Sequence, residues 1–136
     1  MISTTAFDYI NLLDKAADAS WARNDCIANN IANQDTPGYK RQDVSFETEF
    51  KKALKISKYS GELSKRISLD AQVSHLNYRR LEPEIYTDNS GFSYRLDGNN
   101  VDPDTEGVYL AENQLKYEGL ITSINNEFEN LQRVMK

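Results

Sequence analysis

Small and apolar side chains recur between residues 6 and 31 at alternating steps of three and four. This spacing places them along one stripe of an α-helix, the heptad pattern of helices that pack in pairs. Asn24 interrupts the stripe, where an amide can set the register of a helix pair at some cost in stability. Packing within the chain's own domain is the alternative use of such a stripe. We call it the first stripe: Ala6, Ile10, Leu13, Ala17, Ser20, Ile27 and Ile31.

A second stripe with the same steps continues to the C-terminal end of the sequence. Terminal residues of compact domains usually fray, so apolar side chains this close to the end predict that a partner covers them. The second stripe consists of Leu110, Gln114, Tyr117, Ile121, Ile124, Phe128, Leu131 and Met135.

The segment from about residue 40 to 100 has weaker patterns. Phe46, Phe50 and Leu54 predict a short helix to about Ile56. Apolar residues alternate with polar ones over residues 67–73, which predicts a half-buried strand. Residues 84–87 and 92–96, separated by four turn-forming residues, predict a β-hairpin. The middle is therefore expected to be small and partly irregular, with some β structure.

The stretch ANNIANQDTPGYKR, residues 28–41, contains a strong stop signal for the first helix. Pro37 disfavours helical geometry at Thr36, and Gly38 permits a left-handed turn, so the helix should end by about Gln34. Proline followed by glycine also fits the centre of a type II turn, which would leave Tyr39 free to lie on a neighbour. The predicted helix-exit turn comprises Asn33, Thr36, Pro37, Gly38 and Tyr39.

These patterns predict a mainly α protein in which two long terminal helices pair as an antiparallel coiled coil. A single domain would span residues 1–136. Its N-terminal helix is expected over 1–34, a turn and irregular or β-containing middle over 35–103, and its C-terminal helix over 104–136.

Composition narrows the classes of function. With 39% hydrophobic residues among 136, the chain can bury only a modest core. Sixteen basic residues against 21 acidic ones give a net charge of −5, which disfavours binding to nucleic acid. The lysines at 51, 52, 55 and 58 are interleaved with acidic residues and are expected to form a solvated face. Cys26 is the single cysteine, which excludes a disulfide framework.

Targeting signals are weak at the start of the sequence. Met1 to Asp18 have no basic start and no unbroken apolar stretch, so a cleaved secretory signal is not expected. No segment approaches the roughly 20 apolar residues that cross a bilayer. A location outside the cytoplasm would therefore require another export route.

Residues 102–107, DPDTEG, copy the first half of a calcium-binding EF-hand loop. The twelfth position is Asn113 rather than the required glutamate, and Pro103 is unusual within such a loop. A helix start explains the segment better, with Asp102 as N-cap and Pro103 at the first helical position. No metal or other cofactor is expected.

Candidate catalytic groups are scarce. His75 is the single histidine, and no serine lies in a nucleophile-elbow motif, so we do not expect an enzyme or a small-molecule substrate. Trp21 and Tyr117 lie on the two predicted long helices, where each fits either an ordinary core position or an inter-subunit anchor.

Two motifs resemble those of a known family. Arg23, Ile27–Asn33 and Thr36–Arg41 resemble the N-terminal signature of the bacterial flagellar axial proteins, the rod and hook family. Asp97–Asp102, followed by Glu106 and then NQLKY at residues 113–117, resemble the proximal-rod members of that family. Together the motifs cover close to half of the chain.

The resemblance implies a structural subunit of the proximal rod, which polymerises to transmit torque from the membrane ring to the hook in flagellar motility. It implies homo- and hetero-oligomers with other flagellar rod proteins, and contacts with the rod-base adaptor and the membrane-ring protein. It also implies passage through the flagellar type III export apparatus, without a cleaved signal, to the basal body in the cell envelope or periplasm.

The predicted helix-pair and assembly contacts come from the two stripes. Another rod component, or a soluble coiled-coil adaptor that recruits a partner without polymerising, remains the alternative. The predicted assembly residues are Leu13, Ile27, Ile31, Tyr117, Ile121, Ile124, Phe128 and Leu131.

Overall fold

The computed structural model describes residues 4–48, 50, 81–89 and 95–135. Helix α1 spans Thr4–Ala32, strand β1 Gln42–Ser45, strand β2 Glu84–Thr87 and helix α2 Pro103–Val134. The protein is mainly helical, with a two-stranded antiparallel sheet between the two long helices. The predicted fold class is confirmed. Within the described parts, neither long helix is apolar enough to cross a membrane.

The two helices run antiparallel. Asn30, near the end of α1, bonds to Glu106 in the first turn of α2, whereas Ser20, earlier on α1, bonds to Asn113, about two turns further along α2. Residue numbers thus rise on one helix as they fall on the other. The two helices pack against each other, with the Trp21 and Tyr117 rings 6.1 Å apart between centroids, as the coiled coil that the two stripes predict.

Local chemistry accounts for the start of α2. The Asp102 carboxylate accepts hydrogen bonds from the Asp104 N–H at 3.2 Å and the Thr105 hydroxyl at 2.6 Å. Pro103 occupies the beginning of the helix, where a missing N–H costs nothing. The predicted helix start at residues 102–103 is confirmed.

Strand β2 has a partner that the sequence pattern did not predict. It pairs antiparallel with β1, with Val44 opposite Ile85. Of the predicted hairpin partner, residues 92–94 lie outside the described part, and Leu96 lies in a turn. The hairpin prediction used local turn signals, whereas β1 is placed beside β2 by the path of the chain leaving α1. No apolar alternation over four residues could have revealed β1.

The predicted short helix begins where expected. Glu47, Thr48 and Phe50 are helical, and the Phe50 N–H donates to the Phe46 carbonyl at 2.9 Å. The remainder of that helix, the strand predicted at 67–73, the lysine face and His75 lie outside the described residues.

A small apolar core lies between α1 and the sheet. It contains side chains spaced by seven on α1, which form a face separate from the one that meets α2. Ile10, Ala17, Ser20 and Ile27 of the first stripe are buried. The core against the sheet consists of Leu12, Ala19, Cys26, Val44, Phe46 and Leu81. Helix α1 is therefore covered on two sides, by α2 and by the sheet.

The second stripe needs one correction in its register. Gln114 is exposed, and the preceding residue, Asn113, is buried against α1 instead. Asn113 donates to the Ser20 carbonyl at 2.7 Å and to the Asn24 side chain at 2.8 Å. These hydrogen bonds compensate for burying an amide, which a count of apolar steps does not anticipate.

Candidate functional site

Asn30 connects four segments of the chain. Its side chain is fully buried, and its amide nitrogen donates to the Gln42 carbonyl at 2.8 Å and to Glu106 at 3.1 Å. Its amide oxygen accepts from the Gln42 N–H at 2.9 Å and from the Tyr39 hydroxyl at 3.3 Å. One side chain thereby joins the end of α1, the exit turn, β1 and the start of α2.

Glu106 brings a carboxylate into the same buried position, where its side chain is 1% exposed. Its second oxygen accepts from the Arg41 guanidinium, which also bonds Asp43 at 3.0 Å and lies 5.3 Å above the centre of the Tyr109 ring. Burial disfavours the charge of Arg41, but its hydrogen bonds with Glu106 and Asp43 raise its pKa above the ordinary value. A buried carboxylate is tolerated here because it is paired and hydrogen-bonded.

Asn99 closes the C-terminal end of α1. Its buried amide donates to the carbonyl oxygens of Asn33, Gln34 and Thr36 at 2.9, 3.0 and 2.9 Å. The last carbonyls of a helix and the turn after it lack partners within the helix. A side chain more than 60 residues away in sequence supplies them here.

Two glycine turns lie against each other beside Asn99. Gly38 and Gly98 have φ values of +73° and +76°, which side chains with a Cβ rarely adopt. The Gly38 N–H donates to the Asp97 carbonyl at 2.9 Å, and the Arg41 N–H donates to the Asn100 side chain at 2.7 Å. The two motifs that carry the family resemblance therefore meet. We call this the polar joint: Asn30, Gly38, Arg41, Gly98, Asn99, Asn100 and Glu106.

A second ionic group borders the joint. Arg23 of α1 bonds Asp43 at 3.2 Å, the Val44 carbonyl at 2.7 Å and both carboxylate oxygens of Glu47. The hydrogen bonds from Arg23 lower the pKa of Glu47 to about 2 and raise the pKa of Arg23. Arg23 belongs to the motif that carries the family resemblance. The sequence pattern does not identify its acidic partners, because Asp43 and Glu47 lie on segments that follow α1.

The predicted site residues differ in how deeply the fold buries them. Of the helix-exit residues, Thr36, Pro37 and Gly38 are exposed, and the Tyr39 N–H donates to the Thr36 carbonyl at 3.3 Å. Tyr39 lies on Asn30 of its own chain rather than being free for a neighbour. Of the predicted assembly residues, Ile27 is buried and Phe128 is 47% exposed. The half-buried ones are Leu13, Ile31, Tyr117, Ile121, Ile124 and Leu131.

The charged groups at the joint are paired. Arg41 engages Glu106 of the joint and the neighbouring Asp43, and burial raises the pKa of the Cys26 thiol. Among the described residues, no three His, Cys, Asp or Glu side chains are grouped to hold a metal. The joint is instead suited to holding two helices and a sheet in one relative position.

The chain is similar to flagellar rod proteins of known sequence. The sequence model of a family described as "Flagella basal body rod protein" matches residues 15–40, from the middle of α1 through the exit turn. The flagellar basal body rod protein FlgB of Bacillus subtilis is 32% identical, covering 93% of this chain and 92% of that protein. FlgB of Borrelia hermsii is 34% identical, covering 93% and 95% respectively.

FlgB of Escherichia coli is 29% identical over 84% of this chain and 83% of its own length. The chain belongs to the FlgB family of flagellar basal body rod proteins. This is a family of structural proteins, and the chain is not an enzyme. It assembles with other components of the flagellar basal body.

Proposed function

We propose that the protein is a structural subunit of the proximal rod, which polymerises with other rod proteins and transmits torque from the membrane ring to the hook. The observation that carries this proposal is an asymmetry in the helix pair. At the polar joint the buried side chains are polar and bonded within the chain, whereas at the opposite end the tips of both helices expose Phe7, Phe128, Val134 and Met135. Flagellum-dependent motility would require such a subunit.

The exposed end contains residues from both helices, because the helices are antiparallel. Phe7 near the start of α1 and Phe128 near the end of α2 are each 47% exposed, and Val134 and Met135 are more exposed still. We call these four residues the open end. Covering apolar surface contributes roughly 25 cal/mol per Å², so several such contacts repeated between subunits can hold a polymer together.

The family relationship supports a more specific set of partners. We propose contacts with other rod proteins, the rod-base adaptor and the membrane-ring protein, in a rod that crosses the cell envelope or periplasm. Delivery would use the flagellar export apparatus without cleavage of a signal. Predicted assembly residues Leu131 and Ile124 are half-buried in the isolated chain, which leaves part of each side chain for a neighbour.

Gene deletion in the host tests the proposal directly. Swimming would be scored and the basal bodies imaged by electron cryotomography. We expect membrane rings without rod, hook or filament. Complete rods in wild-type numbers would contradict the proposal and return the protein to a non-polymerising adaptor role.

Leu131→Asp tests the assembly contact within an otherwise intact cell. We expect normal expression but loss of rod assembly and swimming, because the contact with a neighbour would bury a charge. Gln132→Asp is the matched control, since it adds the same charge at the next, exposed position of α2. Normal swimming of the Leu131→Asp strain would show that this position is not an obligate contact.

A further inference from the structure

The two outer edges of the small sheet differ in how their backbone groups are hydrogen-bonded. On β1, both backbone groups of Gln42 bond the Asn30 side chain, at 2.8 and 2.9 Å. The Val44 carbonyl accepts from Arg23 at 2.7 Å, and the Val44 N–H donates to the Asp43 carboxylate at 2.7 Å. Side chains thus occupy the outer edge of β1, and no further strand can bind there.

The outer edge of β2 has no such cover among the described residues. The Asp88 N–H donates to the Arg41 carbonyl at 2.8 Å, so this residue faces β1. Because backbone groups alternate between the two sides of a strand, Glu84 and Tyr86 also face β1, whereas Ile85 and Thr87 face outward. No described residue bonds the two N–H and two C=O groups that Ile85 and Thr87 direct outward, where a third strand would pair.

Strand β2 also exposes apolar side chains beside this outer edge. Ile85 is 56% exposed and Tyr86 46% exposed, although Val44, directly opposite Ile85, is buried in the core. A strand edge that combines unpaired backbone with exposed apolar residues is a ready template for pairing with another chain. Pro83, just before β2, lacks an N–H and limits the available edge to the strand itself.

Charge identifies the kind of segment that fits. Glu82 and Glu84 are exposed, and within the described part of the chain neither has an ion-pair partner. A third strand beside β2 would place its side chains a few ångströms from these carboxylates, where opposite charges stabilise and like charges destabilise the pairing. Lysine or arginine near Glu82 and Glu84, with an apolar residue near Ile85, would complement the edge.

We propose that the outer edge of β2 binds an extended, basic segment of a neighbouring rod subunit as a third strand of the sheet. This inference rests on the proposed function for the identity of the neighbour, but the site itself is defined by β2. Main-chain hydrogen bonds at Ile85 and Thr87 hold the segment, and Glu82 and Glu84 select its charge.

Thr87→Pro tests the main-chain contact, because it removes an outward N–H and leaves the inward ladder to β1 intact. Thr87→Val is the matched control, since it keeps the N–H while also removing the hydroxyl. We expect the proline variant to fold, with the circular dichroism spectrum of the wild type. Its amount in purified basal bodies should be at least tenfold lower than that of the wild type. Equal incorporation of the two variants would overturn the proposal.

A photo-crosslinking amino acid at position 85 covers the case in which the proline variant fails to fold. In swimming cells we expect a covalent product with a rod subunit, mapped by mass spectrometry to an extended segment containing lysine or arginine. No product with a rod subunit, or one mapped to a helix or an acidic segment, would overturn the proposal.

Charge reversal supplies the selectivity test. Glu84→Lys should reduce both the crosslink at position 85 and rod incorporation severalfold, whereas Glu118→Lys, at an exposed position of α2, should not. An undiminished crosslink in Glu84→Lys would overturn the charge selection.

The failure of the strand contact can be distinguished from the failure of the proposed function. If gene deletion abolishes the rod but Thr87→Pro assembles normally, only the strand contact is refuted. Complete rods after gene deletion would refute the proposed function itself.

Discussion

The polar joint and the open end belong to the same pair of helices, yet polar side chains are buried at the joint and apolar side chains are exposed at the open end. At the joint, Asn30, Asn99 and Glu106 are buried at 0–1% exposure. At the open end, Phe128 and Met135 are 47% and 72% exposed. In most proteins apolar side chains are inside and charged ones outside. The joint is closed by bonds within the chain, and the open end is where we propose that other subunits cover the helix pair.

Directionality explains why polar groups suit the joint. A hydrogen bond requires a donor and an acceptor in one geometry, so the bonds of Asn30 and Asn99 permit a single arrangement of α1, β1 and α2. Apolar contacts are non-directional and can adapt to different neighbours. A subunit with one fixed and one adaptable end can keep its own fold while packing in an assembly.

The largest expected effect comes from breaking the joint at its buried charge. Glu106→Ala removes the buried carboxylate that bonds both Arg41 and Asn30 and should lower the free energy of unfolding by about 3 kcal/mol, since Arg41 keeps its bond to Asp43. Glu112→Ala is the control on the same helix, because Glu112 is exposed and its ion pair is with the exposed Lys116; its cost should be below about 0.5 kcal/mol. Urea unfolding followed by circular dichroism measures both, and equal costs would refute the special role of Glu106.

A pair of truncations sharpens the contrast between buried and open positions. Ile27→Ala, at a position 1% exposed, should cost about 2–5 kcal/mol in the isolated chain. Phe128→Ala should cost less than about 1 kcal/mol there, since nearly half of its surface is already in water. In cells we expect Phe128→Ala to lower rod incorporation although its fold is retained. Greater destabilisation by Phe128→Ala than by Ile27→Ala would remove the distinction.

A smaller effect is expected from two glycine substitutions that each add one methyl group. Neither new Cβ would meet an atom within 4 Å. Gly38→Ala should nevertheless cost about 1–2 kcal/mol, because its φ of +73° is strained for alanine. Gly119→Ala, inside α2, should stabilise by up to about 1 kcal/mol through helix propensity. Thermal unfolding distinguishes the two signs, and a stabilised Gly38→Ala would contradict the turn geometry.

The smallest expected change in the free energy of unfolding comes from the exposed Arg23–Glu47 pair beside the joint, and it depends on pH. The pKa of Glu47 falls from 4.5 to about 2 in the folded chain, so its pairing with Arg23 stabilises the fold above about pH 4.5. That stabilisation should disappear as the pH falls from 4.5 to 2, and solvent screening limits it to less than about 1 kcal/mol. Unfolding of wild type and Glu47→Gln across this range should converge at pH 2; a constant difference would refute the pairing.

The position of the helices could be predicted because it depends on neighbouring residues. Pro37 and Gly38 stop α1, and Asp102 with Pro103 starts α2, each through bonds or steric clashes within a few positions. The roles of Asn99 and Glu106 could not be predicted in this way. Their partners lie 63–76 residues distant in sequence, and an asparagine or glutamate in isolation has no pattern that specifies a distant partner.

Local signals were enough to predict two long helices with seven-residue stripes, the turn after α1, and the motifs that resemble the rod family. Contacts between distant segments were needed to show that Asn113 rather than Gln114 faces α1, that β2 pairs with β1, and that the two motifs form one joint. Propensity, capping and periodicity act over one or two turns of chain. Burial and hydrogen bonding between distant segments require that all of them be present together.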